Sequence, residues 1–172
     1  MENARSKVAV FGDLTALYSA RAKTHRSINY AELDESIKAY FGVTEFDENQ
    51  FFTLMREDNE KQVSFISGLE KLGWNVEKTS HRETRRVVDS KNYRFDAAIA
   101  YELASSVDSF ENIVIVSDSI DLYRPMKRFS DEDSDCKVHL AFFGDGLDTV
   151  WISPLREKSN TIEFIDLNKF TH

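Results

Sequence analysis

Four aspartates and one glutamate could do chemistry together if the chain gathers them: Asp13, Asp96, Asp118, Asp121 and Glu102. Asp13 ends the run VAVFGDL (8–14), and Asp118 and Asp121 follow IVIVS in NIVIVSDSID (112–121). Each run is apolar and rich in β-branched residues, and each stops at aspartate. Paired in one parallel sheet, the two would deliver their acids to its carboxyl edge, where open α/β folds place their sites. Carboxylates collected there suit a hard divalent cation and phosphate chemistry. Every one of these acids also has a local reading. Asp13, Asp118 or Asp121 can cap the helix that follows its strand, and Asp96 suits a helix N-terminus without further purpose. Glu102 lies six residues beyond Asp96 among Ile99, Tyr101 and Leu103. On a helix that spacing is about 120° of rotation, so one of the two can face a shared ion directly and the other through water. Its apolar neighbours imply partial burial, and a buried glutamate must be paired or protonated.

A basic strip stands beside these acids in sequence: His81, Arg82, Arg85, Arg86, Lys91 and Arg94, interrupted by Glu83 and Asp89. Solvated surface and phosphate contact are equally open readings of it. Other chemistries lack their residues. No GxGxxG or GxxxxGK[ST] loop is present, and FGDG (143–146) reads as a turn. There is no GxSxG elbow and no HExxH among His25, His81, His139 and His172. GDLT does not meet the DxDxT pattern of phosphoaspartate enzymes. Cys136 is the single cysteine, which leaves neither a disulfide framework nor a zinc knuckle.

The elements that must position the acids alternate along the chain. VAVFGDL, QFFTLMR (50–56), WNVEKTS (74–80), IVIVS (113–117), KVHLAFF (137–143) and TIEFIDL (161–167) read as strands, the last on an edge. Leu33, Ile37, Tyr40 and Phe41 form a helical stripe over 31–41, stopped by Gly42. Asp58 or Asn59 caps a second helix through Val63, Ile66, Leu69 and Leu72, closed by Gly73. FDAAIAYELASS (95–106) predicts a third, and 121–129 a short fourth in which Pro125 is near enough to the first turn to be tolerated. SDEDSD (130–135) is a hydrated loop. The alternation predicts a three-layer α/β/α sandwich around a mostly parallel, Rossmann-like sheet.

At 172 residues, with 41% hydrophobic and 30% charged side chains, one soluble domain spanning 1–172 is expected. No apolar run approaches the roughly 20 residues of a membrane span, and MENARSK leads into a strand rather than a signal-peptide core. A cytoplasmic protein with no membrane partner is the resulting expectation. The net charge of −8 argues against broad coating of nucleic acid, though it permits a local basic strip. Most of the 13 phenylalanines fit strand interiors, and a well-filled core and a surface patch for dimerisation are both open readings of the excess.

The order of these motifs resembles the NYN domain, a branch of the PIN-like ribonuclease superfamily. Members open with a strand ending in Asp, with Asn three residues on, followed later by a helix carrying a VDVxLxxD-like segment and a strand ending in SGDSDF. VAVFGDLTALY, RFDAAIAYE and IVIVSDSIDLYRPM stand in those places, and LEKLGWNVEK (69–78) matches the L-x-x-x-G-aromatic-x-V before the third strand. The resemblance covers about 8–153, leaving 154–172 as a C-terminal extension. It implies a PIN-like fold and a Mg²⁺- or Mn²⁺-dependent endoribonuclease. Asp13, Asp96, Glu102 and Asp121 would then be catalytic, Asp13, Asp96, Asp118 and Asp121 would hold the ion, and Arg82, Arg85, Arg86, Lys91 and Arg94 would hold RNA. The chain departs from the pattern at Ala16, which replaces the Asn, and at Ser119, which replaces the central Asp of the third motif. Those departures leave open a catalytically degenerate module that binds RNA or a protein partner, a second copy included. A doubly wound nucleotide- or protein-binding module without nuclease ancestry is the remaining alternative.

Overall fold

The computed structural model describes residues 6–18, 27–56, 58–80, 94–117, 119–122, 124–126, 128, 135–142 and 162–170. Six strands form one sheet: β1 (Val8–Asp13), β2 (Glu48–Met55), β3 (Val76–Ser80), β4 (Asn112–Val116), β5 (Lys137–Phe142) and β6 (Ile162–Asp166). Their order is β3-β2-β1-β4-β5-β6, and every pairing is parallel. β6 lies on an edge, as its sequence suggests. The order reverses between β1 and β4, so this is the crevice in which doubly wound sheets bind ligands. Gly12 marks it: it is in register with Phe51 of β2 on one side and Val116 of β4 on the other.

Alternation along the strands divides the core into two layers. Ala9, Phe11, Ile113 and Ile115 face α3 (Asp96–Ser106), meeting Phe95, Ile99 and Leu103. Val8, Val10, Val114 and Val116 belong to the opposite layer, with Leu33 and Ile37 of α1 (Tyr30–Phe41) and Ile66 and Leu69 of α2 (Glu60–Lys71). Helices therefore cover both faces of a sheet whose central strands are apolar on both sides. All six residues of β1 are buried, Asp13 included.

The helix boundaries follow local chemistry. The Asn29 side chain accepts the Glu32 N–H at 3.2 Å to start α1, and Gly42, at φ 67°, ends it in the left-handed region. Of the two candidate caps for α2, Asn59 takes the role by accepting the Gln62 N–H at 3.2 Å. Gly73 follows its end at φ 88°. Two segments differ from the sequence reading. Leu14 belongs not to the strand but to the helical stretch 14–18, which Asp13 caps as one reading of the sequence has it, its carboxylate accepting the Ala16 N–H. A 3₁₀ turn, Ile120–Leu122, stands where a helix was expected to begin at Asp121, while 124–126 and 128, further along the expected helix, are helical.

Several polar groups inside the layers are partnered. Trp74 stacks on Phe51 with centroids 3.9 Å apart, and its Nε1–H donates to Asp34 Oδ1 at 2.7 Å. Lys38 Nζ meets the other oxygen of Asp34 at 2.6 Å. At the amino end of the sheet, His139 Nε2 lies 3.1 Å from Asn112 Oδ1. The Asn112 amide NH₂ donates to Ser6 Oγ, so its oxygen faces the ring and Nε2 carries the proton. His139 Nδ1 is 3.2 Å from Glu163 Oε2 without the alignment of a hydrogen bond. Burial holds His139 below its ordinary pKa, against the upward pull of Glu163, while Lys137 adds to the lowering.

Candidate metal centre at the carboxyl edge

Asp13 is the innermost acid. It ends β1 at the switch point and is fully buried. Its Oδ1 accepts the Ala16 N–H at 2.8 Å, and its Oδ2 accepts the Phe95 N–H at 3.1 Å. One carboxylate thus joins the end of β1, the helical turn after it and the start of α3. The capping role and a role in a site coexist in this residue. Burial is the main force on its ionisation and raises its pKa to about 6. The two amide donors and the Arg94 guanidinium oppose that rise, while negative Asp96 adds to it.

Asp96 is the first residue of α3, whose start has no side-chain cap. Burial again raises its pKa, assisted by the negative charge of Asp121. Ser119 and Arg94 both favour the charged form. Even so, Asp96 Oδ1 is buried with no hydrogen-bond partner. A buried carboxylate oxygen in that condition is costly unless a cation or water meets it.

Asp121 comes from the 3₁₀ turn beyond β4 and is exposed. Two successive serine turns bring it there: Ser117 Oγ accepts the Ser119 N–H, and Ser119 Oγ accepts the Asp121 N–H, each at 3.3 Å. Ser117 and Ser119 are both buried. The backbone amides are satisfied by hydroxyls here, which is why a turn rather than an α-helix leaves the strand.

The structure therefore brings Asp13, Asp96 and Asp121 to one edge, with Arg94 among them. It does not bring Glu102. The charges acting on Glu102 are those of Glu48 and Glu77, which with burial raise its pKa. Glu48 opens β2 opposite Ala9, in the amino half of the sheet. Six residues of helix carry Glu102 about 9 Å along the axis from Asp96, away from the carboxyl edge. The grouping of Glu102 with the other acids is corrected accordingly. Asp118, Arg82, Arg85, Arg86 and Lys91 lie outside the described residues.

Among the described residues, no group of three or more His, Cys, Asp and Glu side chains is clustered tightly enough to hold a metal ion by itself. Mg²⁺ does not require such a cage: it commonly takes one or two carboxylates and completes its shell with water and substrate phosphate. Asp13 and Asp96 fit that donor set, the unpartnered Oδ1 of Asp96 above all, and Asp121 lies on the same edge of the sheet. The arrangement suits a divalent ion held by few protein ligands. Thiol chemistry does not suit the molecule, since burial raises the Cys136 thiol to about 11 and keeps it protonated.

Against the family pattern Ser119 stands only in the place of a lost acid. The signal for its actual place was the Ser-x-Ser-x-Asp spacing of 117–121, which builds two consecutive hydroxyl-capped turns. The amide of Phe95 had no side-chain signal.

No family model matches the chain, and no curated protein matches it in sequence. In fold, the chain is similar over its full length, and over the full length of the other, to the crystal structure of a protein of unknown function from Vibrio parahaemolyticus RIMD 2210633, with a TM-score of 0.70 and 14% identity. At that identity the likeness concerns the fold: a parallel α/β sheet of order 3-2-1-4-5-6 with flanking helices.

Proposed function

We propose that this chain is an NYN-type, PIN-like endoribonuclease domain that hydrolyses RNA phosphodiester bonds with Mg²⁺ or Mn²⁺ held by Asp13 and Asp96, with Asp121 beside them. The observation that carries this reading is the meeting of three acids at the switch point of the sheet, one with a buried carboxylate oxygen that has no partner. When bound, the ion would supply a Lewis acid for the scissile phosphate and an acidified water.

The protein's own residues do the positioning. Two backbone amides fix the Asp13 carboxylate, so little reorganisation is needed when charge develops nearby. Asp96 offers its open oxygen from the first turn of α3, where the helix N-terminus favours an anionic phosphate close by. Arg94, half-buried and acting on both acids, balances their charge and can hold a phosphate oxygen. In this reading Asp118 completes the ion's shell, and Arg82, Arg85, Arg86 and Lys91 hold the RNA strand.

Purified protein is expected to cleave single-stranded or structured RNA in Mn²⁺. EDTA and, separately, Asp13→Asn should each lower the rate at least about a hundredfold, since misplacing the ion or the attacking water raises the barrier directly. Cleavage that survives both would assign the activity to a contaminant and sink this reading.

A second reading, a non-cutting domain that binds RNA or a protein, is favoured by Ala16, by Ser119 and by the sparse ligand set. Mn²⁺-insensitive RNA binding without cleavage would select it.

A further inference from the structure

We propose that Phe95 is a positioning residue of the metal site: its amide and its ring together fix the carboxylate of Asp13 and the backbone that carries Asp96. The inference rests on the metal-site reading above and extends it to a residue with no metal-binding group of its own.

Phe95 stands just before the first turn of α3 and gives that helix no side-chain cap. The start of the helix is held from the sheet instead. The Phe95 N–H donates to Asp13 Oδ2 at 3.1 Å. The Phe95 ring stacks on that of Phe52, with centroids 5.7 Å apart and planes 21° from parallel. Phe52 is the residue of β2 in register with Asp13 of β1. Phe95 therefore holds two neighbouring strands at one level, Asp13 through its backbone and Phe52 through its side chain. Both aromatic residues are buried, Phe95 at 5% and Phe52 at 3% exposure, in the core layer between the sheet and α3.

These contacts bear on both acids. Asp13 Oδ1 accepts the Ala16 N–H, so Phe95 supplies the second of the two hydrogen bonds that orient this carboxylate. Asp96 is the next residue, its Cα about 3.8 Å from that of Phe95, so the anchor that fixes one acid also sets where the other begins. Asp96 Oδ1 is buried with no hydrogen-bond partner, and no bond to that oxygen would hold it in place if the start of α3 moved. Stacked rings have a preferred geometry, which an aliphatic side chain of adaptable shape does not impose. Hydrogen-bond partners of ligating carboxylates commonly control metal affinity by about ten- to a hundredfold.

The test is Mn²⁺ binding followed by electron paramagnetic resonance or calorimetry, with no need for activity, on variants shown by their thermal transitions to be folded. Wild-type protein should bind Mn²⁺, and D96N should lose most of that affinity. Phe95→Leu removes the ring while keeping an apolar anchor, and should weaken Kd by about tenfold or more. Phe52→Leu removes the other ring with Phe95 intact and should weaken Kd in the same direction, so it carries the test if the first variant does not fold. Ile99→Val controls for a general loss of stability, since Ile99 is fully buried in the same layer one turn further along α3. It too should lower the melting temperature, yet leave Kd within about twofold of wild type. An unchanged Kd in a folded leucine variant, or an Ile99→Val protein as weak as Phe95→Leu, overturns the role of Phe95 while leaving the metal site standing. A wild-type protein that binds no Mn²⁺ overturns the metal-site reading itself, and this inference with it.

Discussion

At the scale of residues, the fold makes the Asp13 carboxyl hard to ionise. Asp13 has a pKa of about 6 in the folded chain against an ordinary 3.8. The folded state therefore holds its proton over a window in which the unfolded chain has released it. The sign follows from linkage: this contribution to stability is fully present below about pH 3.8 and is lost as pH rises through about 6. The difference is worth roughly 3 kcal/mol. His139 and Glu163 act in the opposite sense, because both have lowered pKa values and lose stability as pH falls. The comparison of wild type with Asp13→Asn isolates the Asp13 part. Without metal, wild type should gain thermal stability relative to the variant between pH 7 and pH 5. With Mn²⁺ the trend should reverse, since the ion requires the deprotonated acid. Melting curves at both pH values, with and without Mn²⁺, check this. Parallel curves for the two proteins would remove Asp13 from both roles.

At the scale of elements, the site depends on how closely the strands meet beneath it. A Cβ on Gly12 would lie 2.5 Å from Phe51 Cδ1 and 3.3 Å from the Val116 carbonyl oxygen. Phe51 cannot easily swing aside, because Trp74 stacks on it and is in turn held by Asp34. Gly12→Ala is therefore expected to destabilise the fold by about 1–3 kcal/mol, the usual cost of forcing atoms into a filled core. Urea unfolding measures it, and an unchanged midpoint would mean that the Phe51–Trp74 stack yields freely. The elements themselves were largely legible in the sequence. The β-branched runs ending at Asp13 and Ser117, the stripe through Leu33 and Ile37, and the glycine stop at Gly42 are local signals, and the structure follows them. The helix after Asp13 was legible as the capping reading of that acid, although the strand stops at Asp13 rather than at Leu14. The turn at Ile120–Leu122 was not legible, because serine hydroxyls there replace the bonds of a helix. Glu102 lies away from the other acids because six residues of helix add about 9 Å of translation to their rotation. Its apolar neighbours did indicate partial burial, but beside Glu48 and Glu77 rather than at the acids.

At the scale of the whole molecule, strand order converts distant motifs into one site. Asp13, Asp96 and Asp121 are far apart in sequence and meet only because β4 pairs with β1 and α3 begins above them. Among the described residues no helix is long and apolar enough to cross a membrane. The chain carries a net charge of −8, so RNA would have to be met locally, by Arg94 and the basic residues between 82 and 91, rather than by a broad basic face. The claim on which all of this depends is that the carboxyl edge of the sheet receives a divalent ion, and anomalous diffraction from crystals soaked in Mn²⁺ tests it most directly. The expected result is one anomalous peak within coordinating distance of Asp13 and Asp96, adjacent to Asp96 Oδ1. An ordered carboxyl edge with no peak at millimolar Mn²⁺, or with the Asp96 oxygen occupied by a protein donor, would contradict it.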